Sequence, residues 1–362
     1  MGAMGLGLGL AFGRSGGGNP PPPASVASPV VGTDLTAVWN LQYSGTGTNA
    51  AFSNGTWSTV TPGAGGSTTN LPAYLIAAGF VWNNYSELWI NVGTTTKTVS
   101  NYDFSNAPMI SFNGTGAGNI TFTNCKFAGT PVGNGNVYFP ADINKNTSYS
   151  DLTPMTVTFN NCTFSVAKFF AGCGYTTFNS CRFTGQLQNL GDVGYNGTGL
   201  ASLTYNQCYI TGGGVQPPGA ASHVELSQFV RNVAGCSLVI TGNVIDISKD
   251  GQTTNASWGS SWTGVFSCNA NGGSNGPTVT MTDNIFMGFA AVDANPANPN
   301  VTNCILAYGN GMTATLTNNV MEIARFGYVR NLDGAPVYEA ADGGGNRSYA
   351  NAALTTASSG WT

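Results

Sequence analysis

Charge is the scarcest commodity in this chain. Asp, Glu, Lys and Arg together make up 7% of its 362 residues, with 11 basic and 15 acidic side chains and a single histidine. No dense basic patch exists, so nucleic acid is not expected as a partner. The helix-building stretches of Ala, Leu, Glu and Lys that bundles require are missing. No run approaches 18 apolar residues, so no membrane insertion is expected. The eight cysteines form no CxxC pair, which disfavours a zinc site. Their spacings are too wide for a small disulfide-stapled scaffold. A secretory signal needs a basic start, but here the first basic residue, Arg14, follows the apolar run GLGLGLAFG.

What remains is polar without being charged. Hydrophobic residues make up 41% and aromatics 11%, and there are 51 glycines. Disordered chains are charge-rich and poor in aromatics, so this composition can bury a core. Thr, Val, Ile, Phe and Tyr punctuated by Gly and Asn read as short strands and turns, an all-β chain.

An internal repeat organises those strands. The segments NITFTNCKFAG, MTVTFNNCTFSV, YTTFNSCRFTG, ASLTYNQCYITG, CSLVITGNVIDI, PTVTMTDNIFMG and MTATLTNNVMEI share one pattern, and NPNVTNCILAY is a looser copy. Each runs apolar–x–apolar, two polar residues, a corner Cys or Asn, then x–apolar. Phe122, Phe159, Phe178, Tyr205, Ile240, Met281 and Leu316 stand three before the corner. Phe127, Phe164, Phe183, Ile210, Ile245, Phe286 and Met321 stand two after it. Each arm alternates with period two, so each is a strand with one buried face. The polar pair shifts the phase, making a bend that keeps both arms facing inward.

Such bends, repeated, build a solenoid whose coils pair only with their neighbours, at about 4.8 Å. The corner then stacks on itself: Cys125, Cys162, Cys181, Cys208, Asn243, Asn284 and Asn319. An Asn amide can donate to one neighbouring coil and accept from the other. Cys fits the same slot as a small hydrophobe, so the cysteines read as free buried thiols. With Cys304 included, corner spacings are 37, 19, 27, 35, 41, 20 and 15 residues. The last is short for a full coil, so Cys304 or Asn319 is expected on a different edge. The long spacings imply projecting loops, at residues 133–150, 187–200 and 249–276.

The pattern, from about Leu88 to Ile323, resembles the pectate-lyase-like superfamily of right-handed, single-stranded parallel β-helices, in which an inward Asn ladder at a two-residue turn recurs. Residues 1–30 carry an apolar Gly-interleaved peptide and the linker GRSGGGNPPPPASVASP. That order is similar to phage tail or head spike and fibre proteins, with a short virion anchor, a linker and a β-helical shaft. The resemblance implies a virion location, contact with other virion proteins through residues 1–30, and a homotrimer; secretion is the alternative. Residues 31–87, with Trp39, Trp57 and Trp82, are expected to cap the first coil, Trp89 beside them. The helix is expected over residues 88–323, and residues 324–362 to form a C-terminal cap or oligomer contact.

Functional signals are sparser. His223 and Glu225, two apart in SHVEL, share one strand face; Asp192 precedes them by about one coil and Arg231 follows. This group could serve as acid, base and clamp in a polysaccharide lyase or glycoside hydrolase, or be a polar surface cluster. Asp246, three after its corner, and Asp250 could hold Ca²⁺, or simply be solvated. Trp258 and Trp262 in NASWGSSWTG, with Tyr195 and Tyr209, could stack on sugar rings, or the tryptophans could form a packed lid. The expectation is a virion spike or fibre that binds a host-surface glycan. A depolymerase and a decoration protein without ligand are the alternatives.

Overall fold

Each arm of the repeat is a strand whose hydrogen-bond partners are the same arm one coil away. The computed structural model describes residues 57–82, 88–91, 94–107, 110–113, 118–128, 131–132, 136–137, 141–142, 156–165, 169–171, 174–184, 191–193, 201–211, 227–230, 236–246, 266–269, 277–287, 305–308, 313–317, 319–322, 329–331, 339–342, 347–350 and 353–356. Among these, three sheets dominate, of nine, eleven and ten strands. A typical coil gives one strand to each: Thr156–Asn160, then Thr163–Ser165, then Phe169–Ala171, before Gly174–Asn179 begins the next. Pairing within the stack is parallel and in register, Phe122 on Phe159, Phe159 on Phe178, Phe178 on Tyr205. This is an all-β parallel β-helix.

The bend between the first two arms has one backbone solution in coil after coil. The residue before the corner takes a left-handed φ at Asn101, Asn124, Asn161, Ser180, Gln207, Gly242 and Asp283, between 51° and 64°. Gly and Asn enter that region most readily, which explains the polar pair in the repeat. Each of these residues keeps its N–H in the ladder, as from Asn161 to the Asn179 carbonyl (2.9 Å) and from Gly242 to that of Thr282 (2.9 Å).

The inward arms fill the coil. Phe122, Phe159, Phe178 and Tyr205 form one column of stacked rings, centroids 5.1–5.3 Å apart. Phe127, Phe164 and Phe183 form a second, at 4.8–4.9 Å. The columns meet edge to face, Phe159 on Phe164 at 82°, which is the favourable aromatic geometry. Further along, Ile240, Met281, Leu316, Ile245 and Phe286 continue the same buried positions.

At the start, helix Ala73–Ala77 and the antiparallel pair Phe80–Trp82 and Leu88–Asn91 close the first coil. Leu75, Phe80 and Trp82 are buried there, as a cap requires. Gly79 (φ +93°) ends the helix, and the Lys97 ammonium donates to the Ala78 carbonyl, where the helix dipole favours a cation. Trp57 donates to the Asn124 carbonyl (2.9 Å), while Trp39 lies outside the described residues.

At the other end the solenoid runs past the expected limit at Ile323. Glu339–Asp342 pairs in parallel with Thr313–Thr317, and Arg347–Ala350 with Val320–Glu322. Ala353–Thr356 then adds antiparallel, covering the edge of the eleven-stranded sheet. The charge of this segment hid its alternation. The ambiguity at Cys304 also resolves: Ile305–Tyr308, directly after it, lies in the ten-stranded sheet, whereas Asn319 stays on the ladder.

Candidate functional site

The corner ladder runs the length of the stack. Asn284 Nδ2 donates to the Ile240 carbonyl (2.7 Å) and to Asn319 Oδ1 (2.9 Å), and Asn284 N–H donates to Asn319 Oδ1 (3.0 Å). Asn243 repeats these contacts against the Tyr205 carbonyl and Asn284. The sulfurs of Cys162, Cys181 and Cys208 take the same place, 3.7, 3.4 and 3.4 Å from the carbonyls of Phe122, Phe159 and Phe178. Cys125, Cys162, Cys181, Cys208 and Cys236 are buried and none of them is in a disulfide. Burial pushes the thiols of Cys125 and Cys181 up, and hydrogen bonds to Cys162 act in the same direction. These residues hold the core together.

A solvent-side site has to come from the ten-stranded sheet or from the outer faces of the other two. On the ten-stranded sheet Leu88, Ile90 and Ile110 are buried, and partly exposed Trp89 alternates with them. The register of Trp89 passes through Ser111, Asp142, Phe170, Asp192, Gln228, Ser267 and Leu306 to Arg330. Asp192 therefore sits one rung from Gln228. Of the other candidates, His223, Glu225, Arg231, Tyr195, Trp258, Trp262 and Asp250 lie outside the described residues. Tyr195 follows Gly191–Val193, His223 and Glu225 lead into Ser227–Val230, Arg231 leaves it, and Trp258 and Trp262 precede Phe266–Asn269. Those three strands are consecutive in the ten-stranded sheet.

Two candidates belong elsewhere. Tyr209 pairs with Arg182 and Val244 in the eleven-stranded sheet and is 4% exposed, its ring 5.7 Å from the Arg182 guanidinium. A ring covered to that extent offers no platform to a sugar. Sequence alternation missed this because Tyr209 occupies an outward register that neighbouring side chains cover. Asp246 also lies in the eleven-stranded sheet, between Thr211 and Met287. Among the described residues, no three His, Cys, Asp or Glu side chains gather as a metal site. The ion pair Lys126–Asp103 (3.8 Å) lies near the first coil, with the ammonium 3.8 Å over the Trp57 ring.

One feature was present in the repeat but not read from it. The outward positions of the nine-stranded sheet form three columns. In the central one Thr98, Thr121, Thr158, Thr177, Thr204, Thr280 and Thr315 are interrupted by Val239, and the last rung ends the column on Ala341. The flanking columns hold Thr, Ser and Asn, except for Tyr175 and, on the last rung, Glu339. Asn160, Asn179 and Asn206 are linked amide to amide (2.9 and 3.2 Å), and Ser202 to Ser237 (2.8 Å).

No protein-family model, curated protein or solved structure matches this chain. The fold and the placement of its residues therefore carry the functional reading.

Proposed function

We propose that this chain is the β-helical shaft of a phage virion spike or fibre of the pectate-lyase-like type, which holds a host-surface glycan against its ten-stranded sheet. The observation that carries this reading is that the candidate residues adjoin, in sequence, three consecutive strands of that sheet. His223 and Glu225 precede the strand paired with that of Asp192, and Trp258 and Trp262 precede the strand one rung further on. Aromatic rings for stacking and polar groups for hydroxyls are what sugar recognition requires, and loops on a rigid scaffold are where such residues reside. Residues 1–30 attach the shaft to other virion proteins, and three chains associate side by side.

Binding of fluorescently labelled host capsule or lipopolysaccharide to the full chain tests this. Trp258→Ala with Trp262→Ala is expected to weaken binding by about tenfold or more, as loss of aromatic anchors does. Undiminished binding by that variant removes the proposed face.

A depolymerase is the second reading, favoured by one placement. Asp142 and Asp192 share a register position two rungs apart, a backbone separation of about 9.6 Å. That is close to the ~6.5–9.5 Å gap between the carboxyl groups of inverting glycosidases. New reducing ends that vanish in Asp142→Asn and Asp192→Asn would establish it; intact polysaccharide after prolonged incubation excludes it.

A further inference from the structure

The outer face of the nine-stranded sheet has a composition that glycan recognition does not explain. Over its first eight rungs it carries no charge and, apart from Tyr175, no aromatic ring; the ninth rung brings Glu339 into a flanking column. Its nine rungs stack in register without a slip. The outward side chains, mostly hydroxyl-bearing, therefore repeat in two directions, about 4.8 Å from rung to rung and roughly 6.6 Å between alternate residues of a strand. We propose that this face is an ice-binding surface, its threonines adsorbing to the ordered water of a growing ice lattice.

Three physical points converge on this occupant. Its rung-to-rung repeat lies near an oxygen repeat of hexagonal ice, so hydroxyls of neighbouring rungs meet nearly equivalent lattice positions. Thr, unlike Ser, is β-branched and stiff at χ1, so each methyl and hydroxyl is held in place before contact and little entropy is lost on binding. A charged side chain would impose its own hydration shell, and the first eight rungs carry none at an outward position; Glu339 joins only at the last rung. A folded sugar chain would need stacking platforms that are absent here. An anionic polymer would need cations, which are also absent. The amide ladder of Asn160, Asn179 and Asn206 and the Ser202–Ser237 bond fix the flanking columns in the same way.

The test uses the full chain and slowly grown ice. The wild-type protein is expected to be incorporated into the ice and to suppress recrystallisation in frozen sucrose. Thr177→Lys with Thr280→Lys, both at outward positions, is expected to leave the circular dichroism spectrum unchanged and to reduce incorporation to that of an inert protein. Thr163→Lys, on the eleven-stranded sheet, is expected to behave as wild type. Should the double variant misfold, Thr121→Lys alone provides the same comparison. Exclusion of the folded wild-type chain from ice overturns the proposal, as does equal loss in Thr163→Lys. Because this face is separate from the ten-stranded sheet, failure here leaves glycan binding at the other face unaffected.

Discussion

A buried amide is costly unless both its ends are used, and Asn284 uses both. Its Nδ2 satisfies the Ile240 carbonyl, and its Oδ1 accepts from the Asn243 backbone. Asn284→Ala leaves two buried groups without partners, at about 1–3 kcal/mol each, so a loss of about 2–5 kcal/mol in urea denaturation is expected. Asn284→Cys is expected to cost about half as much, because a thiol already fills this slot at Cys208 and its sulfur reaches the equivalent carbonyl (3.4 Å). Equal losses in the two variants would contradict the equivalence of thiol and amide on the ladder. This interchange is also why the corner was legible in the sequence. Cys and Asn look unrelated as residue types, yet both recur at a fixed offset between two apolar arms. Only a position inside the coil accommodates both.

At the scale of the element, the bend turns on one dihedral. Gly242 stands at φ 64° where other coils use Asn, Ser, Gln or Asp. Gly242→Ala is expected to cost about 1–2 kcal/mol, the penalty of a Cβ in the left-handed region, measurable as a lower melting temperature. Ser180→Gly is expected to be neutral or stabilising at the same measurement, since it relieves that penalty at φ 51°. The strands flanking these bends could be read in advance because their alternation is strict and their inward residues are Phe, Tyr, Ile, Leu and Met. The third strand of each coil could not. Segments such as Gly191–Val193 and Ser227–Val230 are short, mixed in polarity and separated from the motif by loops of unequal length. Their strand character comes from the neighbours they pair with rather than from local pattern. The candidate site lies on that sheet, so its backbone setting emerged only from the topology. The threonine columns were in plain view in every repeat, but outward polar residues on a strand carry no distinguishing signal until their register across coils is known.

Across the whole molecule, a core spine and a set of outer segments have different tolerances. The residues separating stacked positions number 19 between Asn160 and Asn179 but 41 between Asn243 and Asn284. Both steps nevertheless deliver the chain into the same register. Loop closure costs only about 0.6 kcal/mol for each doubling of length, so the spine is nearly indifferent to what lies between rungs. Replacing residues 252–262 with a short Gly-Ser linker is expected to leave the unfolding midpoint almost unchanged while abolishing glycan binding; a large fall in the midpoint would show that this segment packs as part of the core. The same indifference makes each coil a mounting point with a fixed address. Recombination could exchange what is displayed at one address and keep every other, letting the outside of the molecule diversify rapidly over a conserved axle.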